Sequence, residues 1–246
     1  MSALYPDLAG RVALVTGGAD GIGRATVMAL ARQGARCLVL DIDAGKGERL
    51  AAEAPGVVFR RADLRDVAAT VAAIRDGEQA TGPVALLVNN AGHDERHAFT
   101  EVTPDYWDDR LAVNLRHFMF VTQAVAPGLR AGRGAVVNLA STSWMQGAVN
   151  LIAYTTAKSA VIGFTRSLAR ELGPGGVRVN AVTPGWVMTE RQRAAATAER
   201  LARAAERQAL PGEILPEDVA AMIVFLLSGE ARMCTGQNFI VDAGVV

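Results

Sequence analysis

A tyrosine and a lysine four residues apart, Tyr154 and Lys158, form the pair in this 246-residue chain whose spacing most directly suggests chemistry. If the segment is helical, both side chains lie on one face. A lysine ammonium beside a phenol stabilises the phenolate and lowers its pKa from about 10, so the tyrosine becomes a usable base near neutral pH. Ser141 follows an apolar run thirteen residues earlier and can hydrogen-bond a substrate oxygen. The same spacing also arises from a core tyrosine and a surface lysine, so its meaning depends on the rest of the chain.

A second candidate site is the glycine-rich turn Thr16-Gly17-Gly18-Ala19-Asp20-Gly21-Ile22-Gly23. Glycines let the backbone approach a pyrophosphate closely, and a helix N-terminus supplies N–H donors and a positive dipole end. Such clusters also occur as plain turns. Here an apolar strand pattern precedes the turn and a helical pattern follows it, which favours phosphate binding. The pattern TGxxxGxG, rather than GxGxxG, indicates a specific branch of the dinucleotide-binding folds.

Two acidic residues near this turn predict which dinucleotide it binds. Asp41 ends the second predicted strand, where a carboxylate can accept both adenosine-ribose hydroxyls and would repel a 2′-phosphate. No Arg or Lys lies between Thr16 and Gly23, and Asp20 occupies the middle of that turn. Both features favour NAD over NADP. The alternative is that Asp41 only caps the helix that begins near residue 44.

The elements that must position these residues alternate along the chain. Strands are predicted at 12–16, 36–41, 57–62, 84–89, 135–140, 177–183 and 239–241, and helices at 21–34, 44–54, 65–81, 104–131, 154–173 and 216–228. Several strands are apolar on both faces, which is typical of a parallel sheet covered on two sides. The order predicts a single α/β domain over residues 1–246: a Rossmann-like, doubly wound parallel sheet of about seven strands with helices on both faces.

The Ala-, Arg- and Glu-rich segment 190–210 fits neither pattern and precedes a helix that Pro216 opens. It is either a solvated surface helix or a mobile lid. A lid would cover a site at the carboxyl ends of the strands, where open α/β sheets bind ligands.

Composition excludes several classes of protein. Hydrophobic residues make up 50% and charged residues 20%, which is incompatible with intrinsic disorder. The 25 basic and 25 acidic residues balance, so charge gives no argument for a nucleic-acid or membrane-surface partner. We expect no signal peptide and no membrane span, since no apolar run approaches roughly 20 residues. The expectation is a cytoplasmic protein.

Taken together, the motifs resemble those of the short-chain dehydrogenase/reductase family. The matching motifs are TGGADGIG, NNAG at 89–92, Asn114, Ser141 with Tyr154-x-x-x-Lys158, and Pro184-Gly185, in family order over essentially the whole chain. The resemblance implies a catalytic tetrad of Asn114, Ser141, Tyr154 and Lys158. It also implies that Lys158 binds the nicotinamide-ribose hydroxyls and that Asn114 holds a water linking Lys158 to solvent. With the glycine turn and Asp41, the predicted cofactor contacts are Gly17, Asp20, Gly21, Ile22, Gly23, Asp41, Ile42, Asp63, Leu64, Asn90, Ala91, Gly92, Tyr154, Lys158, Pro184, Gly185, Val187 and Thr189.

Within that family, several phrases, including NNAGHDERH, STSW and CTGQNFIVDAGVV, look like bacterial aldose 1-dehydrogenases of the D-xylose type. These oxidise a pyranose at its anomeric carbon to a lactone. The resemblance implies an aldose substrate and a homotetramer built through the long helices 104–131 and 154–173 and the C-terminal strand. The predicted substrate residues are Ser141, Gln146, Asn150, Tyr154, Trp186 and His93. Asn150 is alternatively a turn residue, and Trp144, a second candidate for stacking on a sugar, alternatively packs in the core.

Other interpretations stay open at this point. A pocket dominated by Val149, Leu151 and Ile152 would favour an apolar alcohol or a 3-oxoacyl ketone as substrate. A non-catalytic NAD-binding sensor is a third possibility, against which the complete tetrad argues. His93 and His97 are four apart, but HDERH is not HExxH and follows a strand, so we predict no metal site.

Overall fold

The computed structural model describes residues 3–246, and its centre is one parallel sheet of seven strands in the order β3-β2-β1-β4-β5-β6-β7. The strands are β1 Val12–Thr16, β2 Arg36–Asp41, β3 Val57–Arg61, β4 Leu86–Asn89, β5 Ala135–Leu139, β6 Arg178–Pro184 and β7 Asn238–Val241. The predicted single-domain, doubly wound sheet is confirmed. The order reverses between β1 and β4, which opens a crevice at the carboxyl ends of these strands.

Helices cover both faces of the sheet, as the apolar strands require. They are α1 Gly21–Arg32, α2 Ala44–Glu53, α3 Val67–Thr81, α4 Pro104–Leu111, α5 His117–Ala131, α6 Ile152–Leu172, α7 Glu190–Ala194, α8 Ala198–Arg207 and α9 Pro216–Leu227. Val15 of β1 belongs to the core that includes Leu30 of α1 and Val224 of α9. Its neighbour Leu14 belongs to the opposite core, with α3 and α5. Adjacent residues of a strand therefore supply both cores.

The predicted helix over 104–131 is confirmed, but it is not α-helical throughout. A π-helical segment, Ala112–Arg116, separates α4 from α5 and contains the buried Asn114. The amide of Asn114 bonds to the backbone at Arg110 and at His93, which accounts for the local departure from α geometry. Such π turns are frequently found at functional sites.

The segment 190–210 contains two short helices, α7 and α8, joined near Thr197. Aspartates cap the N-termini of three helices on the nucleotide-binding half: Asp20 for α1, Asp43 for α2 and Asp66 for α3. Over residues 3–246, none of the helices has the length and apolar character that crossing a lipid bilayer requires.

Candidate active site

The turn between β1 and α1 is shaped for close approach of a ligand to its backbone. Gly17 and Gly21 have φ values of +60° and +51°, in the left-handed region that favours glycine. A Cβ on Gly17 would lie 2.9 Å from Cα of Ala91, and one on Gly23 would lie 2.0 Å from the Gly17 carbonyl oxygen. The turn therefore lets a ligand approach the backbone closely at a helix N-terminus, and this cradle fits a pyrophosphate.

Carboxylates surround this cradle on the side of β2. Asp41 Oδ2 accepts a hydrogen bond from the Ala19 amide at 2.9 Å, so the end of β2 is bound to the turn. Asp43, not Asp41, caps α2 by accepting from the Lys46 amide at 2.9 Å. Burial raises the pKa of Asp20, but hydrogen bonds from Lys46 and Gly21 outweigh burial and hold it below its usual range. Asp20 thus carries a full negative charge at the turn, in an ion pair with Lys46.

The NNAG motif braces the turn from the other side. The side-chain amide of Asn90 donates to the carbonyls of Thr16 and Gly17, both at 2.9 Å. The Thr16 hydroxyl accepts from the backbone amides of Asn90 and Ala91, at 3.0 and 3.2 Å. Thr16 was not among the predicted site residues. Its place at the end of a buried strand, directly before the glycines, is the signal that could have identified it.

The remaining predicted cofactor residues follow the carboxyl ends of β3 and β6. Asp63 is held by Arg65, whose hydrogen bonds keep its pKa below the usual range despite partial burial. A Cβ on Gly185 would lie 2.8 Å from Asp242 Cβ, so the backbone at Gly185 passes close to the residue that follows β7. Val187 pairs with Ile214, and the Thr189 hydroxyl caps α7. Whether these residues contact a dinucleotide stays a prediction.

The four predicted tetrad residues meet at the carboxyl edge of β4 and β5. Tyr154 and Lys158 are one turn apart in α6, and Ser141 follows β5, where its hydroxyl lies 2.9 Å from that of Ser143 and near enough to Tyr154 to lower its pKa. Lys158 is only 2% exposed, and its ammonium donates to the Leu139 carbonyl at 2.8 Å. A Cβ on Gly92 would lie 3.0 Å from Asn114 Oδ1 and 3.2 Å from Lys158 Nζ, so Gly92 leaves the space that brings these two side chains together.

Electrostatics at the tyrosine differ from the expectation. Burial raises the pKa of Tyr154 to about 12, although the hydrogen bond from Ser141 lowers it. Burial also lowers the pKa of Lys158 to about 7. Burial therefore opposes the lowering of the tyrosine pKa that was expected from Lys158. Lys158 Nζ lies 5.8 Å from the Tyr154 ring centroid and is desolvated itself, so the phenol needs a further positive charge to ionise.

The predicted substrate residues occupy different environments. Trp186 is half-buried, and its indole N–H donates to Gln192 Oε1 at 2.9 Å. His93 Nδ1 lies 3.0 Å from the Arg110 guanidinium. Gln146 is exposed and donates to the Thr142 hydroxyl at 2.9 Å. Asn150 is exposed with φ +60°, and its carbonyl accepts from the His97 amide, as a turn residue does.

The 93–97 loop is held by structural contacts. The His97 ring stacks on Tyr106 at 4.3 Å, and its Nε2 lies 2.9 Å from the Glu101 carbonyl oxygen. Within residues 3–246, no group of three or more His, Cys, Asp or Glu side chains is arranged to hold a metal ion. The sequence did not single out Asp94, which bonds to Arg191 and Gln192 of α7. In the sequence, Asp94 stands between the two histidines, a position that suggests a metal ligand and not a contact with α7.

A glycine cradle at a sheet switch point, beside a partly exposed serine and tyrosine and a buried lysine, defines the class as a nucleotide-dependent oxidoreductase. Residues 17–246 match the family model described as enoyl-(acyl carrier protein) reductase. The chain is 46% identical to D-xylose 1-dehydrogenase of Caulobacter vibrioides, over 99% of this chain and 98% of that protein. It is 45% identical to a probable galactose dehydrogenase of Rhizobium meliloti, with the same coverage of both chains.

A solved structure shows the same architecture at lower identity. A 3-oxoacyl-[acyl-carrier protein] reductase from Brucella melitensis superposes with a TM-score of 0.91 at 32% identity, covering 98% of this chain and 93% of that one. This chain belongs to the short-chain dehydrogenase/reductase family. It is accordingly an enzyme that acts on CH–OH groups, and its fold is one that generally binds NAD(P).

Proposed function

We propose that this enzyme oxidises an aldose at C1 to the corresponding lactone, with NAD as the hydride acceptor. The observation that carries the proposal is the grouping of Ser141, Tyr154 and Lys158 beside the glycine cradle. The substrate class is supported by the two relatives named as D-xylose and galactose dehydrogenases, which align over nearly their full length.

In this mechanism the anomeric hydroxyl lies between the Ser141 hydroxyl and the Tyr154 phenol. Bound NAD supplies a hydride acceptor and a positively charged ring. Ser141 holds the substrate oxygen, and the Tyr154 phenolate takes its proton as general base. Positive charge near the phenol lowers a tyrosine pKa that burial alone raises to about 12, so ionisation of Tyr154 depends on a loaded site. Holding the reacting groups side by side supplies much of the rate.

The residues proposed to hold the dinucleotide follow the cradle from one end to the other. Gly17, Gly21 and Gly23 leave room for the pyrophosphate. Asp41 would accept the adenosine-ribose hydroxyls, and Lys158 would bind the nicotinamide-ribose hydroxyls. The carboxylates of Asp20 and Asp41 support NAD over NADP, because a 2′-phosphate would meet their negative charge.

A competing candidate is reduction of an acyl-chain ketone, favoured by the similarity to the 3-oxoacyl reductase structure. A substrate screen separates the two. We expect NADH to accumulate when the protein is incubated with NAD and aldopyranoses such as D-xylose, D-galactose or L-arabinose, with a lactone trapped as its hydroxamate. Aliphatic secondary alcohols should give much slower turnover. Turnover of 3-oxoacyl thioesters with no aldose oxidation would overturn the proposal, and binding of NADH without any turnover would indicate a sensor.

The assembly is proposed to be a homotetramer, as the family resemblance implies. Support comes from apolar side chains that are exposed on the relevant elements of the single chain: Met119 of α5, Ile152 of α6 and Ile240 of the edge strand β7. Light scattering coupled to size-exclusion chromatography measures the mass directly, and a monomer would contradict the proposal. The cytoplasmic location stays a prediction from the sequence.

A further inference from the structure

One carboxylate joins the loop after β4 to the helix α7. Asp94 Oδ1 accepts a hydrogen bond from the Arg191 guanidinium at 2.6 Å, and Asp94 Oδ2 accepts from the Gln192 amide at 3.2 Å. The Asp94 side chain is 27% exposed and the Arg191 side chain 56%, so only the carboxylate of this ion pair is partly shielded from water. Charge-assisted hydrogen bonds in such a setting are stronger than neutral ones. Two successive residues of α7 are therefore fixed by a single residue outside it.

The contacts continue from α7 to the indole of Trp186. Gln192, which donates to Asp94, also accepts the indole N–H through Oε1 at 2.9 Å. On the other side, the Arg200 guanidinium of α8 lies 5.0 Å from the Trp186 ring centroid, within cation–π range. The position of the Trp186 ring thus depends on where Gln192 is held.

This network lies across the candidate active site. Asp94 follows Gly92 by two residues, and Gly92 leaves the space in which Asn114 and Lys158 meet. Burial dominates the pKa values of Tyr154 and Lys158, and the negative charge of Asp94 raises both. At its other end, α7 is preceded by Thr189, whose methyl carbon would lie 3.0 Å from a Cβ on Gly21. Segment 189–194 therefore spans from the glycine turn to Asp94.

A second ion pair offers an internal comparison. Arg193, also in α7, pairs with Glu213 at 2.7 Å, but the two side chains are 55% and 41% exposed. Exposed pairs of this kind contribute little, typically below about 1 kcal/mol. Arg193 bonds to Glu213, so its replacement tests whether loss of any arginine in α7 has the same effect.

We propose that Asp94 is a positioning residue, which holds α7 across the cleft through Arg191 and Gln192 and thereby fixes the Trp186 indole at the substrate site. The anchoring of α7 stands on geometry alone, and the consequence for substrate rests on the proposed function. A sugar would then bind against an indole face whose orientation is set before it arrives.

The test is a double-mutant cycle of Asp94→Ala and Arg191→Ala, with Arg193→Ala as the matched control. The first readout is amide hydrogen exchange of segment 189–207 in the protein without cofactor or substrate. We expect each single variant to exchange faster than the wild type, and the double variant to exchange about as fast as the single variants. Arg193→Ala should change the exchange rate much less. Asp94→Asn, which keeps a hydrogen-bond acceptor without the charge, should lie between Asp94→Ala and the wild type.

The second readout is aldose oxidation. Loss of the anchor should raise the KM for the aldose by roughly tenfold, the usual effect of losing a charged hydrogen bond, and change kcat less. The KM of the double variant should be no higher than that of the more impaired single variant, since both substitutions remove the same Asp94–Arg191 interaction. If the KM increases of the two single variants multiply in the double variant, Asp94 binds the sugar independently of Arg191, and the proposal is overturned.

Unchanged exchange in Asp94→Ala would overturn it equally, even if the wild type oxidises no aldose. The exchange experiment thus decides the anchor separately from the proposed function. Asp94→Asn and Arg191→Lys, which preserve size and part of the bonding, provide the same comparison if the alanine variants fail to fold.

Discussion

Two titratable side chains at the centre of the site are shielded from water, Lys158 almost fully and Tyr154 in part, and this favours the uncharged form of each. The pKa of Tyr154 is raised to about 12, and the pKa of Lys158 is lowered to about 7. At neutral pH the Tyr154 phenol is therefore uncharged, while Lys158 is partly charged. A charge brought by a ligand changes the protonation of Tyr154 far more here than it would in water, because the interior screens poorly.

Tyr154→Phe tests the general base. The ring and its packing remain, but no group is left to take the substrate proton. We expect kcat for aldose oxidation to fall by roughly 10²–10⁴-fold, the typical contribution of such a group. NADH binding, measured by fluorescence, should change little. Turnover close to that of the wild type would mean that another residue is the base.

Lys158→Met should make the protein more stable at neutral pH while it impairs catalysis. The folded pKa of Lys158 is about 7 against 10.5 ordinarily, so between these values the unfolded chain binds more protons than the folded one. The free energy of unfolding therefore rises with pH through this window, and the cost of burying Lys158 is fully present below pH 7. The free-energy cost of burying Lys158 exceeds the stabilisation by its hydrogen bond to the Leu139 carbonyl, which contributes about 1 kcal/mol.

Denaturant unfolding of Lys158→Met and wild type at pH 7, 8.5 and 10 measures this directly. The advantage of the variant should be largest at pH 7 and shrink towards pH 10. Tyr154→Phe is the control, because the raised pKa of Tyr154 affects stability only above about pH 10. A difference between Lys158→Met and wild type that is independent of pH would contradict the assignment.

At the scale of elements, the glycine turn and the end of β2 act together on the dinucleotide. Asp20 caps α1 and also pairs with Lys46, which is the basic side chain near the turn. If Asp20 lost its charge, Lys46 would be released next to the expected position of a 2′-phosphate. Cofactor preference therefore depends on a pair of residues from two helices, not only on Asp41.

We expect the wild type to prefer NAD over NADP by at least roughly tenfold in kcat/KM, since one screened charge repulsion supplies about 1–4 kcal/mol. Asp41→Asn keeps an acceptor for the Ala19 amide and should shrink the preference. Asp20→Asn should also shrink the preference for NAD, because it improves the use of NADP. Adding Lys46→Ala to Asp20→Asn should remove this improvement. Steady-state rates with both dinucleotides measure all four proteins. Equal use of NADP by the wild type would refute the NAD assignment.

The loop between β5 and α6 carries the two predicted sugar-binding amides. Because Asn150 has φ +60°, Asn150→Gly removes the amide without straining the backbone. Combined with Gln146→Leu, it should lower kcat/KM for the aldose roughly 5- to 150-fold and weaken discrimination between epimers, because a sugar hydroxyl loses its partner. NADH binding is the control. Unchanged epimer ranking would show that neither amide binds the sugar and that both residues only shape the loop, through the Gln146 amide bonded to Thr142 and the Asn150 backbone carbonyl bonded to His97.

Elements differed in how far the sequence could predict them. Strands such as β1 and β5 were predicted well because all their positions are buried and all but one in each strand are apolar. The π turn at Asn114 could not be predicted, since it depends on contacts with the distant residue His93. The tetrad was identified by residue type and spacing, but the pKa of Tyr154 depends on burial, which spacing does not report. Asp94 was missed for the same reason, because its partners lie almost a hundred residues away.

At the scale of the whole molecule, the site is divided between the two halves of the sheet. Strands β1 to β3 carry the cradle and its carboxylates, and β4 to β6 carry the groups proposed to act on the substrate. The crevice between β1 and β4 is the place where the halves meet. Substitutions after β1 to β3 should therefore affect mainly dinucleotide use, whereas substitutions after β4 to β6 should affect both dinucleotide and substrate use, because Asn90, Lys158 and Gly185 are also predicted cofactor contacts.

The central position of β1 also has a consequence for the chain while it is being synthesised. Ala13 pairs with Cys37 on one side but with Leu86 on the other. Until β4 has left the ribosome, β1 is an open edge, and all five of its residues are ones the finished protein buries. An apolar edge with unpaired N–H and C=O groups invites association with other nascent chains. Strand β1, which supports the cradle, is thus also where an unfinished chain is most prone to aggregate. The NNAG motif, which braces the cradle, begins at the end of β4, the strand that closes this edge.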